Sequence, residues 1–512
     1  MLVKITSAAL HGVDSRPVLI EVHLSRGIRF SLVGLPDNAV RESHERIVSA
    51  LQVNGMDIPR KQIVINMAPA DLRKEGTSYD LPLIVGIMAA GDYISASSVN
   101  DSLFIGELSL DGHLQPVKGI LSVAMLVHEL GIKRLILPAQ NAQEASAVEG
   151  IEVYGMENIK EVVGFLNGEI KKEPEKFLTI FGNGKRSENS SDFADVKGQE
   201  HVKRAIEVAC SGGHNILMIG PPGAGKTLIA NCIPGILPSM TLKESLETTK
   251  IHSVAGKTDS THALLTERPF RSPHHSISSV ALIGGGGKPQ PGEISLAHNG
   301  VLFLDELPEF QRSVLEVLRQ PLEDQKIQIS RANYTIDYPA GFMLVASMNP
   351  CPCGYYNHPE KQCVCTPNQI QKYLNRVSGP LMDRIDLHIE ITPVSYDEIS
   401  ENKPSESSST IRKRVIEARK IQETRFENNS ETSCNAQMCV HDIHTYATID
   451  IAGQNLLKAA MKRLNLSARA YNRILKVSRT IADLDHSEKI QIQHLAEAIQ
   501  YRTLDRENWG QQ

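Results

Sequence analysis

The pattern of hydrophobic and polar positions divides this 512-residue chain into stretches of different character. From Met1 to Gly168, short strand-like runs alternate with longer helical ones. Val18–Leu24 and Ile63–Met67 predict strands, Leu81–Ala90 and Gly119–Leu130 predict helices, and Arg134–Pro138 predicts a further strand. Lys171–Asp192 is polar, holds Pro174, Gly182, Gly184 and a Ser/Asn cluster, and reads as a linker. A second stretch predicts a helix ending near Cys210, then buried strands at Asn215–Ile219, Val301–Leu304 and Phe342–Met348. Lys326–Arg331 and Tyr334–Tyr338 alternate like a hairpin ahead of the last of these strands. The remainder is helical, with a basic amphipathic segment at Ile411–Phe426, a loop at Glu427–Gln437 and another helical run at Leu456–Arg479. The expected organisation is an α+β domain over 1–168, a linker over 169–192, an α/β core with a parallel sheet over 193–395, and a helical domain over 396–512.

Composition narrows the class. Apolar content of 41% and charged content of 22% are those of a globular protein, and no run of about eighteen apolar residues predicts a membrane span. Eight cysteines in a chain this long make no disulfide scaffold, so a reducing cytoplasm is the expected location. A net charge of −5 argues against a protein that coats nucleic acid over its whole surface, while leaving room for a local basic patch.

Gly220-Pro221-Pro222-Gly223-Ala224-Gly225-Lys226-Thr227 fits the phosphate-binding pattern G-x-x-x-x-G-K-[ST]. It follows a predicted buried strand and precedes Leu228-Ile229-Ala230, a first helical turn. That context lets loop N–H groups and a helix N-terminus converge on one anion. In this pattern Lys226 reaches the β- and γ-phosphates of a nucleoside triphosphate and Thr227 ligates Mg²⁺. Val301-Leu302-Phe303-Leu304-Asp305-Glu306 is a buried strand ending in two acids. Asp305 is the candidate for the Mg²⁺ shell and Glu306 for polarising the attacking water.

Between these anchors, Ile251–Asn299 holds Arg268-Pro269-Phe270-Arg271-Ser272-Pro273-His274-His275 and a glycine run at 284–287. Neighbouring histidines in an extended segment point to opposite sides, and no Cys or carboxylate stands nearby at ligand spacing, so a mobile loop is expected rather than a metal site. Arg268, Arg271 and Lys288 suit contact with a phosphate backbone. Cys351, Cys353, Cys363 and Cys365 place four thiols in fifteen residues, a spacing open to a tetrahedral Zn²⁺ knot or to a redox or merely structural loop, with His358 as a substitute ligand.

Two resemblances extend this reading. Gly106–Gly112, Pro116, the following helix and Ile136–Pro138 resemble the proteolytic domain of Lon-type proteases. That family's nucleophile position falls on Leu83 and its lysine position on Leu121, and leucine does neither chemistry. Ser78 and Lys118 are displaced from the pattern, so no peptidase activity is expected. Phe193–Gln199 ahead of the phosphate loop resembles the start of an AAA+ module. In such modules Asn349, at the tip of the third strand, is the sensor that orients water. A hairpin before it marks the branch with magnesium chelatases, MCM helicases and Holliday-junction motors. Ser378–Asp386 is where AAA+ rings carry an arginine finger, here Arg384 with Arg376 in reserve, and Arg469 stands at the lid's sensor-2 position.

With GPPGAGKT, RPFRSPHH, VLFLDELPEF, SMNPCPCG and SGPLMDRIDLH in one order, the chain closely resembles the ComM/YifB family of magnesium-chelatase-like AAA+ ATPases along essentially its whole length. The resemblance implies an inactive Lon-like domain, a P-loop core, a helical lid, and a hexameric ring that uses ATP and Mg²⁺ to move single-stranded or branched DNA during recombination and transformation. The residues themselves point only to an ATPase acting in an oligomer. A chelatase- or chaperone-like motor that remodels a protein partner is the alternative.

Overall fold

The computed structural model describes residues 2–176, 191–258, 264–286, 289–331, 334–358, 360–393, 405–427, 429, 432–464 and 466–503. Two compact units emerge, one of 1–184 with 241–266 and 330–336, the other of 185–240, 267–329 and 337–512.

The first unit is built on a mixed seven-stranded sheet. Its strands are β1 (Leu2–His11), β2 (Asp14–Ser25), β3 (Phe30–Val33), β4 (Gln62–Ala68), β5 (Ser102–Phe104), β6 (Arg134–Pro138) and β7 (Glu152–Met156), in the order β3-β4-β2-β1-β5-β6-β7. β2 buries Val18, Ile20, Val22 and Leu24 on one face, the alternation of a strand covered on one side. α1 (Asn38–Val53) and α2 (Asp80–Ala90) pack with it, and every residue of α2 is buried. α3 (Ile120–Glu129), α4 (Ala139–Ala145) and α5 (Ile159–Leu166) complete the unit. The helix Leu242–Val254 also belongs here. Its Ser253 hydroxyl donates to Glu144 of α4, which accepts as well from the Leu121 N–H at 3.1 Å. The Asp80 carboxylate, wholly buried, is satisfied by Arg46 at 2.7 Å, by the Ser43 hydroxyl at 2.5 Å and by the Leu108 N–H at 3.1 Å.

In the second unit α6 (Glu200–Gly212) leads into β8 (Ile216–Ile219), and α7 (Lys226–Ile236) leaves the phosphate loop. The sheet continues with β9 (Phe270–Arg271), β10 (Val301–Leu304), β13 (Met343–Met348) and β14 (Leu387–Glu390), all parallel, in the order β9-β10-β13-β8-β14. Between β10 and β13 the chain forms a hairpin of β11 (Lys326–Arg331) with β12 (Tyr334–Pro339), of which 330–336 count with the first unit; residues 332–333 lie outside those described. β8, β10 and β13 are buried at every position, because helices cover both faces of a parallel sheet. The order places β8 between strands that run outward in opposite senses of connection, and such a switch point opens a crevice at the C-terminal strand ends.

α8 (Pro367–Leu374), α9 (Ser408–Arg425), α10 (Val440–Tyr446), α11 (Ile451–Arg463), α12 (Ala468–Leu484) and α13 (Ile492–Gln500) follow. The helical segment expected as a separate domain shares one apolar core with the sheet. Ile411 and Val415 of α9 and Ile474 and Ile481 of α12 are buried in the same cluster as Ile206 of α6 and Ile216 of β8. A buried polar joint reinforces the seam. Asp386 accepts from the Asn215 N–H at 2.9 Å, pairs with Arg473 of α12, and lies 3.8 Å from the His214 ring. Burial raises the Asp386 carboxyl, but Arg473, His214 and Asn215 outweigh it and hold it below the ordinary carboxylate range. Burial pushes His214 the other way, below its usual value.

Candidate nucleotide site

The phosphate loop bridges β8 and α7 at that crevice. Gly223 and Gly225 have φ of 81° and 86°, the left-handed region that favours glycine. Gly220 is needed for a different reason, since a Cβ there would lie 2.5 Å from the Ile391 carbonyl oxygen. Lys226 is buried, and its ammonium donates to the carbonyls of Gly220 at 2.7 Å and Pro221 at 2.9 Å and to Asn349 Oδ1 at 3.0 Å. Burial lowers its pKa, against the pull of Asp305 and Glu306. The Thr227 hydroxyl donates to Asp305 Oδ2 at 2.9 Å. Asp305 Oδ1 accepts from the Glu306 N–H at 3.0 Å and from the Ser347 hydroxyl. Thus Lys226, Thr227, Asp305 and Asn349 converge from three adjacent strand ends, β8, β10 and β13. The donor set of one hydroxyl and one carboxylate fits Mg²⁺, which takes hard oxygen ligands and keeps waters.

Ser347 was not anticipated as a site residue, although a hydroxyl two positions before the expected sensor was visible in the sequence. Gln199 is another. Held at φ 56°, it donates to the carbonyls of Thr392 at 2.9 Å and Ala224 at 3.3 Å, tying the segment before α6 to the phosphate loop.

Comparison with known proteins fits this geometry. Residues 192–399 match the family model for magnesium chelatase, subunit ChlI; 20–141 match that for subunit ChlI of Mg-chelatase, and 405–502 that for the ChlI C-terminal region. The competence protein ComM of Haemophilus influenzae is 45% identical over 506 residues, covering 98% of this chain and 97% of that protein. Escherichia coli YifB is 42% identical over 503 residues, with the same coverage. The chain belongs to the ComM/YifB family. It is thus a magnesium-chelatase-like AAA+ ATPase by kinship. Shorter matches join it to Lon protease 2 of Bacillus subtilis (31% identical over 153 residues, 28% of this chain and 27% of that one) and to the DNA replication licensing factor mcm6 of Dictyostelium discoideum (23% over 258 residues, 46% and 26%).

In this ComM/YifB chain Leu83 on α2 and Leu121 on α3, expected at the Lon nucleophile and base positions, are both fully buried. Ser78 is half-buried and Lys118 exposed. The two finger candidates differ sharply. Arg384 has a side chain only 6% exposed, donates to the Pro380 carbonyl at 2.6 Å and pairs with Glu323, itself 42% exposed, at 2.7 Å. Arg376 is 53% exposed and pairs with Glu309 at 2.9 Å. Glu309, Arg312, Lys372 and Arg376 line a pocket of about 460 Å³.

The RPFRSPHH segment differs from the mobile loop expected. Arg271, in β9, makes a two-armed pair with Glu293 at 2.6 and 2.8 Å, and Arg268 donates to the carbonyls of Pro238 and Asn299. Both arginines are therefore engaged within the unit; Lys288 lies outside the described residues. The histidines do not point apart, because the chain turns at His275, and their rings lie 4.0 Å apart. The turn brings His275 Nδ1 to 3.7 Å from Glu306 Oε2.

Arg469 sits in the first turn of α12 and is exposed. The basic run around it splits in two. Lys458, Lys462, Arg463 and Arg469 are exposed, while Arg473 serves Asp386, Arg479 serves Asp483 and Lys476 donates to the Ala436 carbonyl. Cys351, Cys353, Cys363 and Cys365 gather with all four sulfurs within 4.8 Å of one another, the one such cluster among the described residues. His358 is not part of it. Its Nδ1 accepts from the N–H groups of Glu360 and Lys361, both at 3.0 Å.

Proposed function

We propose that this chain hydrolyses ATP in a ring of like subunits, most simply a hexamer, and couples hydrolysis to movement of single-stranded or branched DNA. The observation that carries the ATPase reading is the convergence of Lys226, Thr227, Asp305 and Asn349 on one crevice. Loop N–H groups and Lys226 hold phosphate oxygens, for which Lys226 leaves the Gly220 and Pro221 carbonyls. Thr227 and Asp305 hold Mg²⁺, which offsets phosphate charge when bound. Glu306 accepts the proton of the attacking water and Asn349 orients that water. An arginine from the neighbouring subunit stabilises the developing charge. Its exposure favours Arg376; Arg384 would first have to leave Glu323. Arg469, exposed at the start of α12, is the lid's contact for the γ-phosphate. Zn²⁺ is the metal suited to the four thiols, and the Leu83 and Leu121 positions leave the first unit without peptidase chemistry.

The DNA reading is drawn from relatives, one named a competence protein and one a DNA replication licensing factor, and from the exposed bases Lys458, Lys462 and Arg463. ATP turnover measured with and without forked DNA tests it. Stimulation that falls steeply with salt is the expected result. Basal turnover unmoved by any DNA, with no salt-sensitive binding, would replace it with remodelling of a protein partner.

A further inference from the structure

Two residues beyond Asn349 the chain enters the four-cysteine loop, so whatever fixes that loop acts directly on the nucleotide crevice. We infer that Cys351, Cys353, Cys363 and Cys365 bind one Zn²⁺ as thiolates and that the resulting knot is a buckle holding the phosphate loop against the Asn349 strand end. This rests on the reading of the crevice as an ATP site.

The sulfur spacing suits a single ion. Cys351 and Cys353 are 3.3 Å apart, Cys351 and Cys363 3.7 Å, and Cys353 and Cys363 3.6 Å. A tetrahedral site with metal–sulfur arms of about 2.3 Å has edges of about 3.8 Å. The cluster needs little movement to reach that shape, and four soft thiolates without a hard ligand suit Zn²⁺ or iron rather than Mg²⁺ or Ca²⁺, of which Zn²⁺ needs no redox partner. Each thiol gives up its proton on binding, so no oxidant or reductant is required.

The mechanical link is a glycine. Gly354, at φ +82°, closes the first cysteine turn by donating to the Cys351 carbonyl at 3.0 Å, and a Cβ there would stand 2.5 Å from Pro222 Cδ. The knot's backbone therefore rests directly on the phosphate loop. On its other side the Gly220 N–H donates to the Met348 carbonyl at 3.1 Å, and Lys226 meets Asn349. Beyond Cys365, Thr366 caps α8 in a reciprocal pair with Gln369. The second cysteine pair thus anchors the helix that precedes Arg376. The two limbs of the loop meet at these sulfurs, where the Cys353 N–H also donates to Cys365 Sγ at 3.4 Å, and Lys361 lies over the Tyr355 ring. Only the sulfurs can fix the limbs covalently.

The test uses the full chain, expressed with zinc and purified without chelator. Elemental analysis should find one zinc per chain, released to a colorimetric chelator as a mercurial titrates four thiols. Affinity for a fluorescent ATP analogue is then measured on the loaded protein, on protein stripped under reducing conditions, and after zinc is returned. Stripping should weaken binding about tenfold, the scale of a sub-ångström misplacement of a binding loop, and zinc should restore it. Gly354→Ala, which disturbs the contact with Pro222 without removing a ligand, should keep zinc and bind the analogue more weakly. Iron in place of zinc, or cysteine pairs found oxidised to disulfides in freshly isolated protein, would overturn the metal assignment. One zinc per chain with equal affinity in stripped, folded protein and in Gly354→Ala would overturn the buckle. Loaded wild-type protein that binds no analogue at all would instead sink the ATP reading beneath it.

Discussion

Arg376 and Arg384 leave the same short segment, and only their surroundings say which can act on a neighbour's phosphate. Arg384 is held by an ion pair to Glu323 and by a hydrogen bond to the Pro380 carbonyl. Truncating one member of a fully buried pair costs about 3–5 kcal/mol. Because Glu323 is 42% exposed, water recovers part of its loss, and about 2 kcal/mol is a fair expectation for Arg384→Ala. That is large enough to lower the melting temperature by several degrees. Arg376→Ala removes only an exposed pair with Glu309, worth about 0–1 kcal/mol. If Arg376 is the finger, its loss should cut ATP turnover about a thousandfold while the melting temperature barely moves. Turnover is followed by phosphate release and stability by thermal denaturation of the same preparations. Mixing then separates a trans role from a local one. Arg376→Ala subunits added to Lys226→Ala subunits create interfaces with an intact loop on one side and an intact arginine on the other, and some turnover should return. Recovery with Arg384→Ala subunits and none with Arg376→Ala would refute the reasoning from exposure.

Glu306→Gln should leave binding of ATP intact and lower turnover at least about a hundredfold, since the amide cannot take the water's proton; equilibrium binding beside steady-state rates checks both. His275→Ala loosens a half-exposed contact with that carboxylate, so a change in kcat of about twofold to fivefold with KM unmoved is expected. Asp386→Ala strands the largely buried Arg473 and should destabilise the second unit by about 3–5 kcal/mol in denaturant titrations. In acid the wild type should weaken in two windows. His214 and His388, whose pKa values burial lowers, are protonated first in the unfolded chain, so stability falls as pH drops below about 6.5. Asp386, whose folded value is depressed, adds a loss once pH drops below about 4, as the unfolded carboxylate protonates. Melting temperature recorded from pH 8 to 3 tests both, and a flat profile between pH 7 and 5 would count against the neutral buried histidines.

What could be read from sequence was what short-range pattern determines. The buried runs at Ile216–Ile219, Val301–Leu304 and Met343–Met348 are strands within a residue or so of expectation, since helices on both faces demand apolar side chains at every position. The phosphate loop was legible because its glycines, lysine and threonine are fixed by one local turn. The later segments that join the first unit, 241–266 and 330–336, were not. The helix Leu242–Val254 follows α7 in the chain yet belongs to the first unit, through contacts such as Ser253 with Glu144 more than a hundred positions away. Nor was the shared core of sheet and C-terminal helices, because amphipathic helices such as α12 advertise an apolar face and not its partner.

Charge was the least legible property, and for one reason. The run from Leu456 to Arg479 carries seven basic residues and no acid, which in sequence reads as a single cationic face. In the fold Arg473 answers Asp386 and Arg479 answers Asp483, so part of that charge is spent on buried joints. The same holds for Arg268 and Arg271, and for Arg384. An arginine's role is set by the acceptors that reach it, and those arrive from distant positions. Where a neighbouring subunit or DNA must be met, the residues to weigh are the arginines and lysines the fold leaves exposed: Arg376 beside its pocket, and Lys458, Lys462, Arg463 and Arg469 on α11 and α12. These define a smaller and more testable surface than the basic stretches from which they come.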